Sequence, residues 1–175
     1  YYVVACDQNK KSPGFKYCDE SYIISTTNKK KIYELSKKLK INGIITYVSD
    51  TASPAVSYVA KKLNLKGLPI KAVNTLVYKN LFRKFLKKNN FNYPEFKIFR
   101  SKEKINNFID KIGYPFFIKP IDSSGSKGVT KVVKKIFIKK AISEALNYSR
   151  KKRFIIEKII ERKGYQVAGD GFVMN

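Results

Sequence analysis

Lys119-Pro-Ile-Asp-Ser-Ser-Gly-Ser-Lys-Gly-Val129 gathers the chain's best candidates for holding an oxyanion. Successive small residues let backbone N–H groups converge on a concavity that accepts anions. Ser123, Ser124 and Ser126 add hydroxyl donors, Lys127 adds a compact positive charge, and Gly125 and Gly128 free the backbone. Lys119 ends the preceding apolar run, where its ammonium can lie along a phosphate chain. The same residues equally suit a plain hairpin turn with surface lysines. A Walker A loop is excluded, because the G-x-x-x-x-G-K-[ST] spacing is absent. The second feature is Ile155-Ile-Glu-Lys-Ile-Ile160, a β run interrupted by a charged pair. Glu157 there can accept from an exocyclic amine, with backbone beyond it pairing a ring edge. Alternatively, Glu157 and Lys158 mark a strand edge turning to solvent. Lys79, at the head of an amphipathic helix, is by itself an ordinary surface lysine. Asp7, Asp50 and Asp122 stand apart, as residues that end strands or make turns do. Asp50 falls where an α/β crevice would open, or else caps the helix that follows.

Composition narrows the chemistry. The 175 residues carry 37 Lys plus Arg against 13 Asp plus Glu, a formal charge of +24, and no His. Without His, Ser-His-Asp and Cys-His nucleophiles are excluded. Cys6 and Cys18 alone make neither a structural zinc site nor a disulfide framework, and a reduced cytoplasm is expected. No apolar run approaches the roughly 20 residues of a membrane span, and no signal peptide is evident. The charge suggests nucleic acid as an alternative partner. Yet only 5 of the basic residues are Arg, the lysines are scattered, and no nucleic-acid-binding motif accompanies them. Solvated lysine faces account for the charge more simply, and no nucleic-acid partner is expected.

Two kinds of element must position these groups. Tyr1–Cys6 and Gly43–Val48 are continuous apolar runs expected as strands buried on both faces, with Tyr22–Ile24 a shorter strand. Helices are expected from about Asn28 to Lys40, with Thr26 or Thr27 as cap, and from Ser53 to Leu63. Strands alternating with helices imply parallel pairing, so this part is α/β of the open doubly wound kind. After Leu65–Pro69 the pattern changes. A helix from Tyr78 to Asn89 turns Leu81, Phe82, Phe85 and Leu86 inward, a strand is expected near Phe96–Phe99, and a helix near Lys102–Ile112 is capped by Ser101. Phe116–Lys119 and Val129–Val133 form a hairpin around the Ser/Gly loop. A helix over Ile138–Leu146 and strands at Phe154–Glu157 and Tyr165–Val173 complete an α+β part with an antiparallel sheet. The chain opens on Tyr inside a strand and closes directly after one, so a piece of a longer protein is expected.

In order and spacing, these features resemble the ATP-grasp superfamily of carboxylate–amine ligases and carbamoyl-phosphate-synthase-like enzymes. The resemblance rests on Lys79-Asn-Leu-Phe-Arg-Lys-Phe-Leu, Ile112-Gly-Tyr-Pro-Phe-Phe-Ile-Lys-Pro120, Ser123–Gly128, and Ile156-Glu-Lys-Ile-Ile160 leading to Gly164–Asp170. It implies a Rossmann-like pre-ATP-grasp domain over 1–70 and the first half of an ATP-grasp domain over 71–175. It implies that Lys79 and Lys119 contact ATP phosphates and that Ser123, Ser124, Gly125, Ser126, Lys127 and Gly128 form the flap over them. Glu157 would receive the adenine amino group, with Lys158 and Ile160 presenting backbone to the base. Gln166 stands where the family commonly has an acidic residue for the ribose. Magnesium ligands and a catalytic Arg are expected beyond this chain. The implied partners are ATP and a small carboxylate, with a homodimer compatible; a non-catalytic nucleotide-binding scaffold is the other reading of the same motifs.

Overall fold

The computed structural model describes residues 1–47, 49–100, 105–161 and 163–165. Strand β1 (Val4–Asp7) pairs in parallel with β2 (Glu20–Ile23), through a connection carrying a 3₁₀ turn at Pro13–Tyr17. Helices α1 (Lys29–Lys38) and α2 (Ser53–Lys62) follow and pack on each other, with Tyr33 and Tyr58 edge to face at 6.1 Å. Two further helices, α3 (Ile70–Val77) and α4 (Lys79–Lys88), lead into the second part. That part contains β3 (Phe96–Phe99), α5 (Asn106–Ile112), β4 (Phe116–Pro120), β5 (Thr130–Val132), α6 (Ile138–Tyr148) and β6 (Phe154–Lys158). Its four strands form one antiparallel sheet in the order β3-β6-β4-β5.

Period-two alternation divides this sheet into two faces with different work. Phe116, Ile118, Val132, Phe154, Ile156 and Phe99 point to one side, where Ile109 and Ile112 of α5 and Ile138, Ala141 and Ala145 of α6 close the core. Full burial of each large apolar side chain there contributes about 1.5–3 kcal/mol. The intervening residues Phe117, Lys119, Ile155 and Glu157 point to the opposite side, and this is the side that concerns function.

Several expectations are corrected. Residues 43–47 join no strand, and Ile45 and Tyr47 are 89% and 83% exposed. An apolar β-rich run becomes a strand only where a neighbour accepts its backbone groups, and no described strand pairs with this one. Val48 is outside the described residues. Among the described residues β1 pairs with β2 alone, and it is half-buried, with Tyr1, Tyr2 and Val3 exposed, rather than enclosed on both faces. Asn28, not Thr26 or Thr27, caps α1, its side chain accepting from the Lys31 N–H at 3.2 Å. Helix α3 was not expected. Pro69 precedes its first turn, and it stops at Tyr78, whose extended backbone (ψ 113°) separates it from α4. No residue of α4 is fully buried, and Leu81 and Phe85 are exposed; the half-buried residues are Lys79, Asn80, Phe82, Arg83 and Leu86. The expected Ser101 cap and all but the first residue of the Tyr165–Val173 strand lie outside the described residues; Tyr165 is in no strand.

Candidate functional site

Alternation along β4 and β6 puts Lys119 and Glu157 on the same face of adjacent strands. Glu157 is 1% exposed, so its carboxylate depends on protein groups in place of water. Lys119 Nζ donates to Oε2 at 2.6 Å. From the other side Arg83 Nε donates to Oε1 at 2.9 Å and Nη2 to Oε2 at 3.4 Å. Arg83 comes from α4, one turn after Lys79, and residues four apart share a helix face. The Lys79 N–H donates to the Ile121 carbonyl at 3.0 Å, which fixes the start of α4 against the end of β4. The Lys79 ammonium then reaches the Ser123 carbonyl. Burial pushes this ammonium below the ordinary lysine range; the Lys119 charge pushes the same way, and Glu157 and Asp122 oppose it.

The loop between β4 and β5 is secured at both ends. At its start Asp122 is buried, and its carboxylate accepts from Ser149 Oγ at 2.7 Å and from the Lys151 N–H at 3.0 Å. Arg150 Nη2 donates to the Asp122 carbonyl at 2.7 Å. At its end Gly128 adopts φ 72° and lies so close to α6 that a Cβ would come within 3.1 Å of Tyr148 and 3.2 Å of the Glu144 carbonyl. Between these anchors Gly125 and Ser126 also have positive φ, and Gly125, Ser126 and Lys127 are exposed. A cavity of about 420 Å³ opens beside the loop, with Lys79 and Lys119 among its walls together with residues 122–126 and Asp50 and Thr51. A second groove, of about 760 Å³, lies between the loop's far side and α6, and contains none of Lys79, Lys119 and Glu157. Two half-buried ammonium groups, Lys119 bonded to Glu157 and Lys79 to the Ser123 carbonyl, beside three hydroxyls and a loop of positive-φ residues, suit a ligand carrying several negative charges. Among the described residues no group of three or more Asp, Glu, Cys or His side chains could hold a metal ion, so none of them is assigned as a magnesium ligand.

Residues 85–171 match the family model described as D-ala D-ala ligase C-terminus. D-alanine–D-alanine ligase B of Clostridium perfringens is 38% identical over 84 residues, 47% of this chain and 27% of that protein. The formate-dependent phosphoribosylglycinamide formyltransferase of Prochlorococcus marinus (strain NATL1A) is 25% identical over 164 residues, 91% of this chain and 42% of its own length. The biotin carboxylase domain dimer of Hydrogenobacter thermophilus 2-oxoglutarate carboxylase, crystallised with magnesium ADP, ADP and bicarbonate, shares the fold. It superposes with a TM-score of 0.68 at 19% identity, over 90% of this chain and 39% of that one. The chain is similar to ATP-grasp ligases in sequence and in fold. It spans about two fifths of the length of the formyltransferases it matches.

Of the residues that the ATP-grasp resemblance singled out, Lys79, Lys119, Ser123, Ser124, Gly125 and Ser126 meet at one cavity. Glu157 is bonded to Lys119 and lies beneath that group; the solvent-facing strand edge is ruled out for it, although Lys158 is exposed. Lys158 gives its N–H to the Glu95 carbonyl at 2.9 Å, and the Ile160 side chain is exposed. Lys127 and Gly128 are drawn to the other groove: Lys127 points outward, and Gly128 is required by its contact with α6. Gln166 lies outside the described residues. Asp50 does not cap α2, whose N-cap is Ala52 without a side-chain bond, and it lines the cavity instead. Asp7 does make a turn, accepting from the Asn9 N–H at 2.8 Å. Arg83 and the anchoring role of Asp122 were missed. The i, i+4 relation of Arg83 to Lys79 was the available signal for the first; for Asp122 the partners lie 27 to 29 residues away, and no local pattern reveals them.

Proposed function

We propose that this chain is the ATP-binding portion of an ATP-dependent ligase that activates a carboxylate as an acyl phosphate for attack by an amine or similar nucleophile. The observation carrying this reading is the convergence of Lys79 and Lys119 on one cavity with the Ser123–Ser126 loop. ATP supplies the phosphoryl group, and such transfer depends on positioning and charge neutralisation more than on covalent help from the protein. That requirement suits a site without histidine. Lys79 and Lys119 neutralise phosphate charge, while the hydroxyls and backbone N–H groups of residues 123–128 close over it. Glu157 accepts from the adenine amino group, backbone at Lys158 and Ile160 meets the base, and Gln166 takes the ribose hydroxyls. Displacement of Lys119 from Glu157 toward phosphate leaves Oε2 with only the longer Arg83 contact and able to accept from the base, which links the two ends of the nucleotide.

On the same reading residues 1–70 form the pre-ATP-grasp domain and 71–175 the first part of the ATP-grasp domain. The enzyme is cytoplasmic, uses magnesium with ATP, and acts on a small carboxylate; the dimeric relative supports a homodimer. No helix among the described residues is long and apolar enough to cross a membrane. The test is thermal unfolding with and without magnesium ATP. A ligand at about 100 times its Kd stabilises by about 2.7 kcal/mol, which raises the Tm by roughly 5–11 °C at this chain length. Lys119→Ala is expected to abolish the shift while the protein remains folded. An ATP shift of unchanged size in that variant refutes the assignment of the site.

A further inference from the structure

We infer that Arg83 is a positioning residue: by neutralising the buried Glu157 carboxylate from the α4 side, it keeps the charges of Lys79 and Lys119 available to a polyphosphate. This rests on the reading of the Lys79–Lys119 cavity given above and assigns a role to a residue outside it. Arg83 lines neither the 420 Å³ cavity nor the 760 Å³ groove, so it acts through Glu157. The carboxylate is 1% exposed and must be held by cations. Were Lys119 its only partner, the 2.6 Å ion pair would take up that lysine's charge. Arg83 prevents this by spanning both oxygens, at 2.9 and 3.4 Å, with its planar guanidinium fork. Lys79, Lys119 and Arg83 outnumber Glu157 in this cluster, while Asp122 and Asp50 in the cavity walls narrow the excess of cations, so the loss of one guanidinium weighs heavily.

Charge arithmetic then separates this role from simple bracing. R83Q lowers the local charge by one, E157Q raises it by one, and the double variant R83Q/E157Q leaves it unchanged. The probe is inorganic tripolyphosphate, which has no base and so does not report on adenine recognition by Glu157. Binding by calorimetry is expected to weaken about tenfold in R83Q, the scale of one charge acting at short range through a partly solvated medium. R83K keeps the charge and is expected to recover most of the loss. R83Q/E157Q is expected to bind within about threefold of the unaltered chain, and E157Q about tenfold more tightly than it. A bracing role predicts the reverse, since removing the second partner would disrupt the site further.

Circular dichroism and melting curves accompany each variant. Should R83Q not fold, E157Q alone decides, because it removes the carboxylate and no cation: unchanged tripolyphosphate affinity overturns the inference. Equal binding by folded R83Q and the unaltered chain overturns it as well. If the unaltered chain binds neither tripolyphosphate nor ATP, the reading of the cavity itself fails, a result distinct from either of these.

Discussion

Asp122 holds the Ser/Gly loop in place, and the effect of removing it can be worked from three contacts. Its carboxylate is 2% exposed and accepts from Ser149 Oγ at 2.7 Å and the Lys151 N–H at 3.0 Å. The Arg150 guanidinium, 3.9 Å away and nearly half exposed, adds little by comparison. Hydrogen bonds to a charged group contribute about 1.5–3 kcal/mol each. In Asp122→Ala both are lost, the Lys151 N–H is left without a partner, and a small void opens. The expected destabilisation is about 3–6 kcal/mol, or roughly 6–24 °C in Tm at this length. Asp122→Asn should be much milder. Its amide oxygen can still accept from Lys151, and its NH₂ can donate to Ser149 Oγ, which already accepts the Arg153 N–H at 3.1 Å and has a second lone pair. The loss is then mainly charge assistance, about 1 kcal/mol. Urea denaturation of the three proteins measures the difference directly. If Ala and Asn lie within about 0.5 kcal/mol of each other, the loop is not anchored through this carboxylate and the reasoning is refuted. With Asp122→Ala, tripolyphosphate binding should also weaken, because the Ser123 carbonyl that positions Lys79 moves with the loop.

Other expectations follow from the same geometry. Gly128→Ala must accommodate both φ 72° and contacts of 3.1–3.2 Å with α6, whereas Gly125→Ala, at φ 60° in open space, meets only the backbone term. Chemical denaturation should show the first at about 2–4 kcal/mol and the second at about 1 kcal/mol. Phe116→Ala, at a fully buried position packed against α5 and α6, should cost about 3–5 kcal/mol, measured in the same assay. Lys79 titrates below the ordinary lysine value of about 10.4 because it is buried beside Lys119. In the window between its lowered folded value and that unfolded value, the unfolded chain binds more protons. The Lys79 contribution therefore makes the free protein more stable as pH rises there. Phosphate binding responds with the opposite sign, weakening as the ammonium is lost. Melting and tripolyphosphate titrations across that window should show both trends reduced in Lys79→Met; their full retention would remove Lys79 as the cause.

The second half of the fold was the more legible because its signals are local and mutually consistent. β4, α6 and β6 coincide with apolar runs or stripes of the right period, and small flexible residues mark the loop between β4 and β5. The first half was less so. Gly43–Tyr47 has the composition of a buried strand and forms none, since pairing depends on a neighbour and not on propensity. Helix α3 was missed because eight residues without a polar N-cap give little signal beside the Gly67–Pro69 punctuation.

By itself, then, the sequence determined the chemistry on offer: lysines, hydroxyls and flexible backbone in place of histidine, in an order resembling ATP-grasp proteins. Residue type and strand alternation also determined that Lys119 and Glu157 could lie on one face of the sheet. Only tertiary structure decided their partners. Glu157 is shared between Lys119 on the neighbouring strand and Arg83, 74 residues earlier on a helix; Asp122 is claimed by the chain just after α6; Lys127 is turned away from the cavity. The physical reason is that a buried charge must take its partners from whatever the packed elements bring within reach. Those encounters cross sequence separations that no local spacing encodes.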